Sequence, residues 1–196
     1  MSEPLTDAAI DQLFRTARTA NHYIDKPVAE SQLRTLWELT ALGPTSANQE
    51  PARVVWCVSQ EAKDKLADCA SNTNGAKIRV APVAFIVGMD MAFYERLPEL
   101  FPHTDARPWF IGKPELIHES AFRNSTLQIA YLIMAARALG LATGPMSGFD
   151  AAKVDAAFFE GTTIKSNVIG TLGYIDPATV FPRLPRLSFE DATQIR

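Results

Sequence analysis

Five polar groups of residues stand out in this 196-residue sequence: Arg18–Asn21, Thr45–Asn48, Asn74–Lys77, Ser147–Gly148, and Arg183 with Arg186. Each lies beside the end of a helical or strand-like pattern or in the tail. Their side chains carry guanidinium, ammonium, hydroxyl and carboxamide groups, the types that hold anions and pair with the polar edges of ligands. The densest stretch is Gly43–Pro51, GPTSANQEP, a polar turn held stiff by Pro44 and Pro51. A turn this polar is more than a connection needs. Taken singly, each group also has an ordinary use. Asn48 and Asn74 can cap turns, and Lys77, Arg183 and Arg186 can be solvated charges.

The familiar chemical signatures are missing. No G-x-G-x-x-G follows a strand and no G-x-x-x-x-G-K-[ST] occurs. No G-x-S-x-G elbow is present. The three histidines and two cysteines form no cluster with metal-ligand spacing. The net charge of -3 gives no basic face for nucleic acid or for an anionic membrane surface. The longest apolar run, Ile129–Ala136, is far short of the roughly 20 residues that span a bilayer. The N-terminus lacks the basic and apolar regions of a secretory signal. Cys57 and Cys69 therefore read as reduced, buried thiols of a cytoplasmic protein, and the sequon Asn124-Ser125-Thr126 carries little meaning.

The elements that must position these groups follow from hydrophobic periodicity. Helices are expected over Thr6–Ala20, from Ala29 or Glu30 to Leu42, over Gln60–Ala70, Glu115–Leu139 and Ala151–Phe158, with a last turn from Ser188. Strands are expected at Arg53–Ser59, Ala81–Met89 and Ser166–Ile175. Ser71–Gly75 and Gly144–Asp150 read as loops. The 115–139 helix, roughly 37 Å long at 1.5 Å per residue, is apolar nearly all round from Leu127 on. It is expected at the centre of the fold or at a dimer interface. Residues 90–114 carry Phe93, Trp109, Phe110, His103 and several prolines, and read as a lid or partner-contacting insertion with a short helix near Ala92–Leu97. Few strands separated by helices predict one α+β (α/β class) domain over residues 1–196, a small sheet covered by helices.

In their order and spacing, these groups resemble the flavin-dependent nitroreductase family. The runs GPTSANxxPAR, FYERLPxLFPHxDAR, FRNS, GLxTGPMSGFD and RLPRLSFE are similar to its malonic semialdehyde reductase branch, of pyrimidine breakdown. The resemblance covers nearly the whole chain. It implies a nitroreductase-like fold with a central mixed sheet, and a homodimer with FMN at the subunit interface. It places a phosphate-binding loop on Arg18, Thr19 and Asn21. Pro44, Thr45, Ser46 and Asn48 become the loop that reaches the other subunit's flavin. Asn74 and Lys77 join the site, as does the Pro145, Met146, Ser147, Gly148 loop, whose backbone faces flavin N5. Arg186, with Arg183 as a second, supplies the C-terminal phosphate ligand. The sequence departs from the family at Ala17 and Asn21, where basic residues are common. It departs also at Ala52, where Trp often stands, and at Ser147, where Glu is frequent.

The chemistry agrees with these assignments. A dianionic phosphate suits guanidinium forks and hydroxyls, and a lysine near flavin N1 stabilises the charge of the reduced ring. The resemblance implies hydride transfer from NADH or NADPH to a small acceptor, 3-oxopropanoate, giving 3-hydroxypropanoate. Its carboxylate needs a cation, Arg107 or Arg123, and its oxygen a proton, from His103 or water. The alternative is a broad nitro- or quinone reductase whose acceptors stack on Phe93, Trp109 and Phe110. The remote alternative is a flavin-binding protein without catalysis.

Overall fold

The computed structural model describes residues 3–196. In chain order its elements are α1 (Asp7–Ile10), continued by a π-helical turn over Asp11–Arg15, α2 (Glu30–Ala41), β1 (Ala52–Cys57), α3 (Gln60–Ala67), α4 (Asn72–Val80) and β2 (Val83–Asp90). Then come α5 (Leu97–Leu100), α6 (Pro114–Ala138), β3 (Ala142–Met146), α7 (Ala151–Phe158), β4 (Ile164–Gly173) and α8 (Phe189–Ala192).

The four strands lie in the order β1-β2-β4-β3. Every pair is antiparallel, so the mixed sheet expected from the resemblance is corrected for the strands of this chain. The sheet has helices on both faces. Val83, Phe85 and Val87 of β2 pack with Leu33 and Leu36 of α2 and Ile129, Leu132 and Ala136 of α6. The alternate residues Ala84 and Ile86 pack on the other face with Leu66, Ile78 and Val154 of α3, α4 and α7. A strand covered on both faces is continuously apolar rather than alternating, which is how β2 reads.

The first helix stops at Arg15 rather than Ala20, because the chain turns extended there and Ala20 N–H donates to the Thr143 carbonyl at 3.0 Å. The expected loop Ser71–Gly75 is the start of α4. Gly75 makes this possible, since a Cβ there would lie 2.8 Å from the Ala67 carbonyl oxygen, and without one α4 packs closely on α3. The Gly-rich turn before Asp150 contains the unpredicted strand β3, paired along β4 from Ala142↔Gly173 to Met146↔Ile169. Pro145, which has no N–H to give, is tolerated because β3 is an edge strand.

Residues 90–114 have their own small core. Phe93, Leu97 and Phe110 pack with Met89 and Ala121. Asp90 anchors the start of the segment, accepting from Arg53 at 2.7 Å, the Ala92 N–H at 2.9 Å and Thr163 Oγ1 at 2.7 Å. Among the described residues, no helix is long and apolar enough to cross a membrane.

Candidate active site

Arg18, Thr19, Asn21, Arg183 and Arg186, which the resemblance groups, line one cavity of about 580 Å³, and Arg137 joins them. Four arginines face this space and no acid lines it. Three of them, Arg18, Arg137 and Arg183, are positioned by the end of the first helix, whose last carbonyls have no helical partner, while Arg186 Nη1 donates to the carbonyls of Leu184 and Pro185. Arg183 Nη2 donates to the carbonyls of Phe14 (2.9 Å), Arg15 (2.9 Å) and Ala17 (3.0 Å). Arg18 Nη1 donates to those of Arg15 (3.1 Å) and Ala17 (2.9 Å), and Arg137 Nη1 to that of Leu13 (2.8 Å). Each guanidinium carries five N–H donors, so each keeps donors for a ligand. The electrostatics ask for one. Desolvation lowers the pKa of Arg183 and the nearby Arg18 and Arg186 charges lower it further. Desolvation also lowers that of Arg137, with Arg183 adding to the effect. An anion is the partner this cluster lacks.

Sequence reasoning missed Arg137. Its signal was a single charge inside the apolar half of α6.

The same strand of chain leads to a second cavity, of about 540 Å³, where Lys77 and Thr73 of α4 face His22 and Tyr23. His22 was also missed, although it directly follows Asn21. Tyr23 is fixed by its hydroxyl, which meets Thr171 Oγ1 at 2.7 Å, and burial raises its pKa. On the far side of α4, Asn74 Nδ2 donates to the Gly148 carbonyl at 3.1 Å, and Ser71 N–H donates to the same oxygen at 3.0 Å. Asn74 and the Ser147–Gly148 loop are thus brought together, with Pro145 and Met146 leading in on β3.

Pro44, Thr45, Ser46 and Asn48 stand elsewhere. Their loop precedes β1 at the end of the sheet where Ala52 pairs with Met89, whereas Gly144 lies in the row of Thr171, Ala84 and Cys57. Five residues along a strand make about 17 Å, and three strand spacings make about 14 Å. Within one chain the loop does not join the arginine cavity. It is a single turn over Ser46–Asn48 with Asn48 Nδ2 on the Leu100 carbonyl at 2.9 Å. Pro44, Ser46 and Asn48 are exposed. Glu50 N–H donates to Thr45 Oγ1 at 3.2 Å, and the Glu50 carbonyl takes Arg53 Nη1 at 2.8 Å.

The three residues expected to meet substrate are also dispersed. Arg107 pairs with Glu95 at 2.8 Å, and Arg123 pairs with Glu119 one turn away on α6. His103 is exposed, its ring set edge-on to Phe101. Phe93 and Phe110 pack against each other at 4.9 Å, 0% and 6% exposed, so neither offers a face to an acceptor. Of the expected aromatic surface only Trp109 remains open. Asn124 of the sequon is buried, which closes it to glycosylation. Among the described residues no group of three or more His, Cys, Asp or Glu is placed to hold a metal.

Comparison with known proteins places the chain in a family. Residues 14–174 match the model of the nitroreductase family, and the chain belongs to it. A protein of Stenotrophomonas maltophilia strain K279a, provisionally named as an NADH dehydrogenase/NAD(P)H nitroreductase, is 60% identical over the full length of both chains. One from Burkholderia lata, with the same kind of name, is 61% identical over 97% of this chain and 98% of its own. Among solved structures, a protein from Exiguobacterium sibiricum, provisionally named a nitroreductase and solved in complex with FMN, superposes with a TM-score of 0.85 at 20% identity, each chain fully covered. A Staphylococcus epidermidis protein, provisionally named an NAD(P)H:FMN oxidoreductase, superposes with a TM-score of 0.86 at 16% identity, again over both whole chains.

Proposed function

We propose that the protein is an FMN-dependent NAD(P)H oxidoreductase, working as a homodimer. The observation that carries this is the cavity faced by Arg18, Arg137, Arg183 and Arg186 with no acid, linked through the consecutive residues Asn21 and His22 to the cavity of Lys77. The residues fit the cofactor. Guanidinium groups already anchored on one side hold the phosphate, and Thr19 and Asn21 add polar contacts. Lys77 holds the negative charge of the reduced ring. Asn74 and Ser71 fix the Gly148 carbonyl, and with it the loop whose backbone would meet the ring. When bound, FMN supplies the hydride relay between a nicotinamide and a second substrate.

The homodimer is supported by two features. The Pro44–Asn48 loop is too far from the arginine cavity to serve the same flavin, but it can serve a second subunit's. The exposed side of α6 carries Phe122, Leu127 and Tyr131, and the tail carries Phe181, Leu184, Leu187 and Phe189, all more than 40% exposed. This much exposed apolar side chain is what an interface would cover.

For the acceptor we retain 3-oxopropanoate, on the motifs shared with the malonic semialdehyde reductase branch. Arg107 or Arg123 would have to leave its glutamate to hold the carboxylate, and His103, at the exposed tip of the 90–114 segment, is the candidate proton donor. The curated relatives' names favour the second reading, a broad nitro- or quinone reductase. Comparing kcat/KM for 3-oxopropanoate with that for a nitroaromatic decides between them. A ratio well above one supports the aldehyde. A ratio below one assigns the broad activity.

A further inference from the structure

Asn124 lies on α6 beneath the Pro44–Asn48 loop. Its Oδ1 accepts the Ser46 N–H at 2.8 Å, and its Nδ2 donates to the Ser120 carbonyl one turn back at 2.9 Å. Ser120 Oγ donates to Gln49 Oε1 at 3.0 Å, and Gln49 Nε2 donates to the Ser46 carbonyl at 2.9 Å. Both backbone polar groups of Ser46 are therefore held by buried amide side chains, Asn124 at 2% and Gln49 at 0% exposure. Gln128 Oε1 takes the Ala52 N–H at 2.9 Å, so α6 grips the chain again where the loop becomes β1.

The chain between these grips is unusual. Ala47, Asn48 and Glu50 all have left-handed backbones, with φ of 49°, 48° and 38°, and none is glycine. Such conformations are disfavoured for residues with a Cβ and persist where the surroundings impose them. Burying amides and a hydroxyl on the inward side of a core helix is also unfavourable unless every group is paired. A paired polar clasp and a strained loop are explained together if the loop's shape matters.

We propose that Asn124 is a positioning residue for the cofactor site. With Gln49, it holds Ser46–Asn48 in the left-handed turn that presents Ser46 and Asn48 to the flavin of a second subunit. This rests on the FMN reading above. Asn124 touches neither cofactor nor substrate in this role and acts through the Ser46 peptide.

The test is FMN affinity of full-length Asn124→Ala, measured by titrating the apoprotein, beside Asn48→Ala and the double variant Asn124→Ala/Ala47→Gly. Asn124→Ala is expected to weaken binding about tenfold, the worth of one buried hydrogen bond. Glycine adopts positive φ as readily as negative, so Ala47→Gly is expected to restore most of that loss. If Asn124→Ala does not fold, Ser120→Ala, which loosens Gln49 alone, carries the same test with the same rescue. A loss that Ala47→Gly does not repair means general damage to α6 and overturns the proposal. Wild-type affinity in Asn124→Ala, with Asn48→Ala weakened, overturns it while leaving the loop at the flavin. If neither variant changes affinity while Arg183→Ala does, the loop is not at the flavin, and both ideas about the loop fall while the FMN reading stands.

Discussion

The carbonyl oxygen of Ala20 lies 2.6 Å from the point that a Cβ on Gly144 would occupy, and Thr171 Oγ1 lies 2.7 Å from it. The bare backbone of Gly144 lets the Arg18–Asn21 segment lie flat along β3, and so aims it at the arginine cavity. Gly144→Ala is expected to push that segment off the strand. Overpacking of this kind costs about 1–3 kcal/mol, a fall of several degrees in Tm for a chain this long. FMN affinity should fall as well. Differential scanning calorimetry and cofactor titration check both.

The arginine cluster makes a sharper statement about which part of the cofactor it serves. Arg183→Ala is expected to weaken FMN binding about 10–100-fold, the worth of a charge-assisted hydrogen bond or two. Riboflavin, which lacks the phosphate, should bind the variant and the unaltered protein alike. Arg137→Ala should show the same selectivity, with an added loss of stability because Arg137 also holds the Leu13 carbonyl. Parallel titrations with FMN and riboflavin measure the difference directly.

Burial raises the Cys57 thiol from its ordinary 9.0 to about 11. A group whose folded pKa is raised stabilises the fold fully below its unfolded pKa, and that contribution is lost as pH rises through the folded value. Alkaline destabilisation is therefore expected between about pH 9 and 11. Cys57→Ala should flatten the fall in Tm across that window, even though its Tm at pH 7 is lower.

The exposed apolar side of α6 leads to a joint prediction. Phe122→Glu combined with Leu127→Glu puts charge on this side without entering the core, since both positions are more than 40% exposed. Analytical ultracentrifugation should show a monomer, and that monomer should have lost most of its FMN affinity. A monomer with full affinity would mean that one subunit completes the site alone.

Much of the scaffold was legible in the sequence. Helix α7 was read to the residue, and α2 and α6 to within a residue or two at each end, because their apolar spacing and their stop signals agree. Arg18, Thr19, Asn21, Arg183 and Arg186, grouped through the resemblance, line one cavity. What escaped reading depends on tertiary contact. Strand β3 looked like a turn because Gly144 and Pro145 are poor strand residues, and only pairing with β4 makes them one. The start of α4 looked like a loop because Asn72, Thr73 and Asn74 are weak helix formers, and the close approach permitted by Gly75 decides otherwise. Arg137 was hidden in an apolar pattern. Phe93 and Phe110 looked available for ligands because aromatic content alone does not tell a lid from a small core.

The central claim is that the arginine-lined cavity and its neighbour hold FMN and put it to redox use. The most direct measurement is the visible spectrum of the full-length protein after reconstitution with FMN and removal of the excess, followed by anaerobic addition of NADH and of NADPH. A yellow protein whose visible flavin absorbance bleaches with one of the two nicotinamides is the expected result. A protein that stays colourless after reconstitution would contradict the account.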